Sequence, residues 1–147
     1  MIIIKKWDAQ TSLSKTAQAN AVNFLYENLQ QYGDPKQDIE KAVMYALNQT
    51  ERETSGFVLV ATIDEEIVGV TVVNETGMKD YIPENILVYI ATHQDYRGKG
   101  IGMSLMQNAI ESSEGNIALH VEPDNPARKL YEKLGFTNKY LEMRYIK

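Results

Sequence analysis

The apolar positions in the first third of the chain recur with helical spacing. One face carries an apolar residue every four positions, at Leu13, Ala17, Ala21, Leu25 and Leu29, and is widened by Phe24 and Tyr32. Gly33 ends this predicted helix. Asp34 and Pro35 supply a cap and a first-turn proline for a second helix, which continues to about Asn48.

Runs rich in β-branched residues predict strands in the rest of the chain. The first strand covers residues 2–6, and residues 56–63 and 67–74 form a hairpin around Asp64-Glu65-Glu66. The later elements are a strand at 86–91, a helix from Ile101 that ends before Gly115, a strand at 117–121, a helix at 126–134, and a last strand or strands within 136–146. This alternation predicts an α/β domain with helices covering a mixed sheet.

Composition indicates one globular domain over residues 1–147, with 44% hydrophobic and 24% charged residues. The chain has no cysteine, which excludes disulfides, thiolate zinc sites and cysteine nucleophiles and fits a reducing cytoplasm. A net charge of −5 argues against general nucleic-acid binding. No apolar run approaches the ~20 residues that span a bilayer, so no membrane partner is expected. The histidines, His93 and His120, lie too far apart for a metal signature.

The segment Arg97-Gly98-Lys99-Gly100-Ile101-Gly102 is the strongest candidate for a ligand site. Glycines let successive backbone N–H groups face one point, and the helix that follows adds its unpaired N-terminal donors. We therefore expect a phosphate-bearing cofactor, with Arg97 and Lys99 as supplementary positive charge.

Two common phosphate motifs fail on spacing. A P-loop requires Gly-Lys-Ser/Thr, but Lys99 lies between Gly98 and Gly100. A dinucleotide-binding turn requires a third glycine where this chain has Met103. Both spacings argue against a nucleotide-binding function.

The remaining pattern, R-x-x-G-x-G at Arg97, Gly100 and Gly102, resembles motif A of the GNAT superfamily of N-acetyltransferases. The segment at 125–136, with its Ala, Leu-Tyr and Gly-Phe, resembles the family's motif B, and the order of strands and helices is also similar. Two positions depart from the family pattern. Gln94 replaces a frequent proline, and Asp124 stands where the family often has asparagine, one residue before Asn125.

The resemblance implies a single GNAT-like domain: a mixed, mostly antiparallel sheet of six to seven strands, about four helices, and a splay between the fourth and fifth strands. It also implies that acetyl-CoA binds as co-substrate, with its pantetheine arm on the backbone of the 86–91 strand end and its pyrophosphate on the glycine turn. The residues implied for this binding are Ile90, Ala91, Thr92, Arg97, Gly98, Lys99, Gly100, Ile101, Gly102, Met103, Asn125 and Tyr131. For Asn125, helix capping before Pro126 and contact with the cofactor are both open and are compatible.

Tyr131 is the catalytic residue that the resemblance implies. A phenol is protonated at neutral pH and can donate to the sulfur of departing coenzyme A. Its helical spacing is equally typical of a packed core tyrosine. The acceptor amine must lose a proton, and the candidate base is His120, with Glu84 as the alternative. A surface histidine is the competing interpretation of His120.

The expected reaction is direct transfer from acetyl-CoA to a primary amine of a small molecule or peptide in a ternary complex. The alternative is a non-catalytic acyl-CoA-binding sensor or interaction module. Peptide N-termini, lysines, polyamines, aminoglycosides and small amines remain open as acceptors. Tyr26, Tyr32 and Tyr81 could line the acceptor cleft, although helix packing explains the first two equally well. The resemblance also makes a homodimer possible.

Overall fold

The structure is a computed structural model that describes residues 1–50 and 53–147. Its elements are β1 (Ile2–Trp7), α1 (Lys15–Asn28), a 3₁₀ turn (Gln30–Tyr32), α2 (Lys36–Ala46), β2 (Gly56–Ile63), β3 (Glu66–Glu75), β4 (Asn85–Thr92), a second 3₁₀ turn (Gln94–Tyr96), α3 (Ile101–Ser112), β5 (Ile117–Leu119) and α4 (Ala127–Lys133). The predicted order of strands and helices is confirmed as far as α4.

The strands form one sheet in the order β1-β2-β3-β4-β5. The pairs from β1 to β4 are antiparallel, and β5 runs parallel to β4. The predicted hairpin is confirmed, since β2 and β3 meet around Asp64 and Glu65, whose φ angles are +48° and +67°. Positive φ at both central positions is the backbone shape that suits a tight hairpin turn.

Helices cover both faces of the sheet. Helices α1 and α2 pack on one face, where Val58 and Val60 of β2 are buried, and α3 and α4 pack on the other, where Phe57 and Leu59 are buried. Because β2 and β3 are covered on both faces, their sequences are nearly continuous apolar runs and do not alternate between apolar and polar residues.

The entries to the first two helices differ from one another. Ser14 caps α1 by accepting a hydrogen bond of 3.0 Å from the Ala17 N–H. The predicted cap of α2 by Asp34 is wrong, because Pro35 occupies the cap position without a side-chain hydrogen bond. The carboxylate of Asp34 instead accepts a hydrogen bond of 2.5 Å from the hydroxyl of Tyr89 on β4.

The expectation of six to seven strands is wrong for the described part of the chain, which has five. Residues 137–147 form no strand, and their large apolar side chains are exposed: Tyr140, Leu141, Met143, Tyr145 and Ile146. Alternating apolar residues show only how a strand would bury one face. A strand also needs a partner edge, and this segment pairs with none among the described residues.

A bulge in β4 lies where the sheet opens. Val73 pairs with Leu87 and Val72 with Tyr89, so Val88 is an extra residue on β4. Pairing between β4 and β5 stops at the same level, with Leu87 opposite Leu119. The far half of β4 therefore lacks a partner on its β5 side, which confirms the predicted splay between the fourth and fifth strands.

Candidate active site

A cavity of ≈ 450 Å³ lies where β4 and β5 separate. It is lined by the end of β4 (Ile90, Ala91, Thr92), the turn before α3 and the second residue of that helix (Arg97, Gly102), α4 and the residues before it (Asn125, Pro126, Ala127, Leu130, Tyr131) and the end of α1 with the turn after it (Asn28, Leu29, Gln30, Gln31, Tyr32). The predicted cofactor-binding residues Ile90, Ala91 and Thr92 thus share one cavity with Arg97, Gly102, Asn125 and Tyr131.

The glycine turn leads directly into α3. Gly98 and Gly100 have φ angles of +78° and +81°, in the left-handed region that favours glycine, and a Cβ at either position would have no atom within 4 Å. Gly100 is the N-cap of α3 and offers no side-chain hydrogen bond. Glycine is therefore favoured at these two positions by the positive φ angle and not by lack of space for a side chain.

The backbone N–H groups from Gly98 to Met103 have no hydrogen-bond acceptor within the described chain. The first N–H to be paired after them is that of Ser104, which donates to the Gly100 carbonyl at 3.0 Å. Consecutive unpaired donors at the positive end of a helix form an anion site. Residues 98–101 and Met103 do not line the cavity themselves, but they adjoin Arg97 and Gly102, which do. The Lys99 ammonium lies 5.1 Å from the Tyr96 ring centroid.

Asn125 acts as a helix cap at the start of α4. Its Oδ1 accepts a hydrogen bond of 2.9 Å from the Ala127 N–H, and its own carbonyl accepts one of 3.1 Å from Arg128. Its side-chain NH₂ makes no hydrogen bond within the described chain, and the residue lines the cavity. Capping is therefore present, and contact between Asn125 and the cofactor stays a prediction.

Tyr131 lies in the cavity wall with its ring largely buried. Its relative exposure is 7%, and its ring centroid is 6.1 Å from that of Phe136. Burial raises the pKa of Tyr131 to about 12. Among the described residues its hydroxyl has no hydrogen-bond partner, so a protonated phenol is available at the cavity at neutral pH.

The structure does not bring the two candidate bases to the cavity wall. The predicted strand at 117–121 is shorter in the structure, because β5 ends at Leu119, and His120 beyond it is exposed. Glu84 directly precedes β4, and about 20 Å of extended chain separates it from Ile90, which lines the cavity. Its carboxylate accepts hydrogen bonds from the N–H groups of Asn116 at 2.6 Å and Asp80 at 3.0 Å. These bonds hold the pKa of Glu84 below its ordinary value.

The part of the wall formed by Asn28, Gln30 and Gln31 is not predicted by any motif in the sequence. Polar residues at a helix end look like ordinary solvated positions, and no signal in the sequence distinguishes them. Among the tyrosines proposed for the acceptor cleft, Tyr32 does line the cavity, whereas Tyr26 and Tyr81 are exposed and do not.

No helix in the described residues has the length and apolar character needed to cross a membrane. Within residues 1–50 and 53–147, no group of three or more histidine, aspartate or glutamate side chains could hold a metal ion.

Comparisons with known proteins agree with this geometry. A curated protein named 5-NmdU N-acetyltransferase, from Pseudomonas phage PaMx11, is 29% identical over 102 residues, which are 68% of this chain and 69% of that protein. A GNAT-family acetyltransferase from Streptococcus pneumoniae TIGR4 superposes with a TM-score of 0.72 at 21% identity, over 100% of this chain and 98% of that one.

An aminoglycoside N-acetyltransferase solved in complex with CoA superposes with a TM-score of 0.71 at 16% identity, over 100% of this chain and 95% of that one. At these identities the solved structures show a shared fold. The model of the acetyltransferase (GNAT) domain matches residues 54–138, which is more than half of the chain, and the protein therefore belongs to the GNAT family of acetyltransferases.

Proposed function

We propose that this protein transfers the acetyl group of acetyl-CoA directly to a primary amine of a small molecule or peptide, with both substrates in the cavity together. One observation carries the proposal: the open end of β4, Arg97, Gly102 and Tyr131 line a single cavity, and the unpaired N–H groups of the glycine turn adjoin it. Proximity supplies much of the rate in such a reaction, and no acyl-enzyme is required.

The donor side fits a long, anionic thioester. The edge of β4 that β5 leaves open, at Ile90 to Thr92, offers strand-like hydrogen bonds to an extended amide chain such as pantetheine. The unpaired N–H groups from Gly98 to Met103 offer charge-assisted hydrogen bonds to a pyrophosphate, with Arg97 and Lys99 adding positive charge. Asn125 also lines the cavity, and its side-chain NH₂ is a further hydrogen-bond donor.

In the chemical step the amine nitrogen bonds to the thioester carbon, and the carbon–sulfur bond breaks. A backbone N–H at the end of β4 stabilises the negative oxygen. The phenol of Tyr131 faces the thiolate as it forms. With the Tyr131 pKa at about 12, complete proton transfer to a thiolate of ordinary pKa near 8.5 is uphill, so its main contribution is a hydrogen bond that strengthens as charge develops on sulfur.

The proton lost by the amine needs a route to solvent. His120 is exposed near the end of β5 and is the candidate base, acting through water. Glu84 suits this role less well, because two backbone N–H groups already bind its carboxylate and lower its pKa. A base that accepts protons readily should have a pKa near the working pH.

Thiol release from acetyl-CoA over a panel of primary amines tests the proposal. The panel includes the acceptors in the names of two similar proteins, 5-NmdU and an aminoglycoside, together with polyamines, lysine and peptide N-termini. Calorimetric titration with CoA serves as the control for a folded donor site. Amine-dependent thiol release supports an enzyme. Tight acetyl-CoA binding without thiol release for any amine would instead support a non-catalytic acyl-CoA sensor.

A further inference from the structure

The cavity has a wall of uncharged hydrogen-bonding groups on the side of α1. Four residues that carry a carboxamide or a phenol line it there, Asn28, Gln30, Gln31 and Tyr32; we call this set the carboxamide wall. α1 and α3 pack on opposite faces of the sheet, so the wall faces the cavity from the side away from the glycine turn. The carboxamide wall is therefore the part of the cavity that the donor contacts described above leave for the acceptor.

The groups of this wall have unused hydrogen-bonding capacity. Asn28 donates from Nδ2 to the Phe24 carbonyl at 2.8 Å, which leaves its Oδ1 as an acceptor. The side chains of Gln30 and Gln31 make no hydrogen bond within the described chain, so each offers a donor and an acceptor. The hydroxyl of Tyr32 makes one long hydrogen bond, 3.5 Å to the Asp124 carbonyl.

The lining of the cavity contains no carboxylate among the residues that the structure describes, and Arg97 is its one charged side chain. The nearest acid on the adjoining loop, Asp34, is bound by the Tyr89 hydroxyl and does not line the cavity. Asp124 meets the wall through its backbone carbonyl. An acceptor with several ammonium groups would have to give up water without gaining an anionic partner, which is costly.

We infer that the acceptor carries one amine on an otherwise uncharged body that presents an amide or imide edge to the carboxamide wall. This inference rests on the proposed function and narrows its acceptor class. A carboxamide pairs well with an edge that has an adjacent donor and acceptor, since both of its own groups are then satisfied. Because the described lining presents no carboxylate to an ammonium group, the wall also favours the neutral amine that the reaction needs.

The test compares kcat/KM for amines that differ in charge and in hydrogen-bonding edge. 5-(Aminomethyl)uracil has one amine and an imide edge, alanyl-alaninamide has one amine and amide edges, and benzylamine has one amine and no such edge. Spermidine and kanamycin carry several amines. We expect one of the two edge-bearing amines to exceed benzylamine by about tenfold, as for one or two added hydrogen bonds. Both polycations should fall below benzylamine, and the better edge-bearing amine shows whether the edge belongs to a nucleobase or a peptide.

A charge introduced into the wall should reverse this preference. Gln31→Glu places a carboxylate at the wall and should raise kcat/KM for spermidine by about tenfold while lowering it for 5-(aminomethyl)uracil. Gln107→Glu is the matched control, because Gln107 is exposed on α3 and does not line the cavity. The same change in charge at that position should leave the order of acceptors unchanged.

The outcomes separate this inference from the proposed function. If the wild-type protein acetylates spermidine or kanamycin better than every edge-bearing amine, the inference is overturned while acetyl transfer stands. If no amine releases thiol, binding of each amine to the CoA complex is measured by calorimetry. Tighter binding of an edge-bearing amine than of spermidine then supports the inference without the reaction. Equal or weaker binding, or none, overturns it.

Discussion

The hydroxyl of Tyr89 donates a hydrogen bond of 2.5 Å to Oδ2 of Asp34, and this bond joins the middle of β4 to the loop between α1 and α2. The same loop contributes Gln30 to Tyr32 to the cavity wall. Burial of Tyr89 and the hydrogen bond with Asp34 raise the pKa of the phenol, so it remains a donor throughout the neutral range. The bond therefore ties the proposed acceptor side of the cavity to the sheet.

Tyr89→Phe should loosen that loop. The substitution removes the hydrogen bond but leaves the exposed Asp34 carboxylate free to be hydrated, so we expect a loss of about 1–2 kcal/mol in the free energy of unfolding, measured in urea. The KM for the acceptor should rise while the KM for acetyl-CoA stays nearly constant. Asp34→Asn is the control, since its amide oxygen can still accept and its effect should be smaller. Equal changes in both KM values would contradict a role for this bond on the acceptor side.

Gly115→Ala should destabilise the start of β5. Gly115 has a φ of +92°, and a Cβ there would overlap Oε1 of Glu84 and lie 2.8 Å from its Cδ. The carboxylate would have to leave the N–H groups of Asn116 and Asp80. We therefore expect a lower thermal midpoint than backbone strain alone produces.

Gly135→Ala supplies that comparison. Gly135 has a φ of +99°, but a Cβ there would meet no atom within 4 Å, so only the cost of the left-handed conformation remains. That cost is about 1–2 kcal/mol. If the two variants lose the same amount in thermal midpoint, the overlap of the new methyl group with Glu84 does not add to the destabilisation at Gly115.

Glu84 should also make stability depend on acid pH. Hydrogen bonds from Asn116 and Asp80 lower the pKa of its carboxyl from the ordinary value of 4.5 in the folded chain. A lowered folded-state pKa adds stability above the unfolded value, and this contribution is lost as the pH falls through the folded value. Glu84→Gln should therefore be less stable than the wild type at pH 7, with a gap that narrows below about pH 4.5. Urea unfolding between pH 3 and 7 measures this, and a constant gap would contradict it.

The sequence predicted the elements that carry strong local signals. The hairpin of β2 and β3 and the start of α3 follow from β-branched runs, Asp64-Glu65 and a glycine turn, and the structure confirms them. The sequence did not predict the partner of Asp34, because the Tyr89 hydroxyl reaches Asp34 only once the sheet and helices are packed. Residues 137–147 have the alternation of a strand, yet pairing depends on an edge elsewhere in the fold, which local pattern does not specify.

The candidate site divides in the same way. Arg97, Gly102 and Tyr131 belong to motifs with fixed spacing, and the structure brings them to one cavity. Gln30 and Gln31 belong to no such motif. In the sequence, a glutamine that lines a cavity looks the same as a glutamine on the ordinary protein surface. The bulge at Val88 adjoins the point where β4 and β5 separate. It depends on the pairing of β4 with β3, which no local sequence pattern specifies.

Tyr131→Phe should separate catalysis from binding. Phenylalanine keeps the buried ring beside Phe136, so the free energy of unfolding and the affinity for acetyl-CoA should change little. Loss of the hydroxyl should lower kcat by about 100-fold. Because the Tyr131 pKa is about 12, the wild-type rate should show no loss from Tyr131 ionisation between pH 7 and 10. Unchanged turnover in the variant across this range would remove Tyr131 from the mechanism.

Gly102→Ala should strengthen the fold and weaken donor binding at once. Gly102 is the second residue of α3, and a Cβ there would make ordinary contacts, 3.4 Å to Cδ2 of Leu130 and 3.8 Å to Oγ1 of Thr92. Alanine in a helix gains about 0.5–1 kcal/mol over glycine, so the thermal midpoint should hold or rise. The same methyl group would project into the cavity between β4 and α4, where the proposed donor passes close to the backbone.

We therefore expect the dissociation constant for CoA, measured by calorimetry, to rise at least about tenfold in Gly102→Ala, since a single steric intrusion of this kind costs on the order of 1–3 kcal/mol. Ser104→Ala, on the same helix but outside the cavity lining, should bind CoA like the wild type. Wild-type affinity in the Gly102 variant would show that the donor does not approach the first turn of α3. The anion site would then have to be reached from the turn at Gly98 to Gly100 alone.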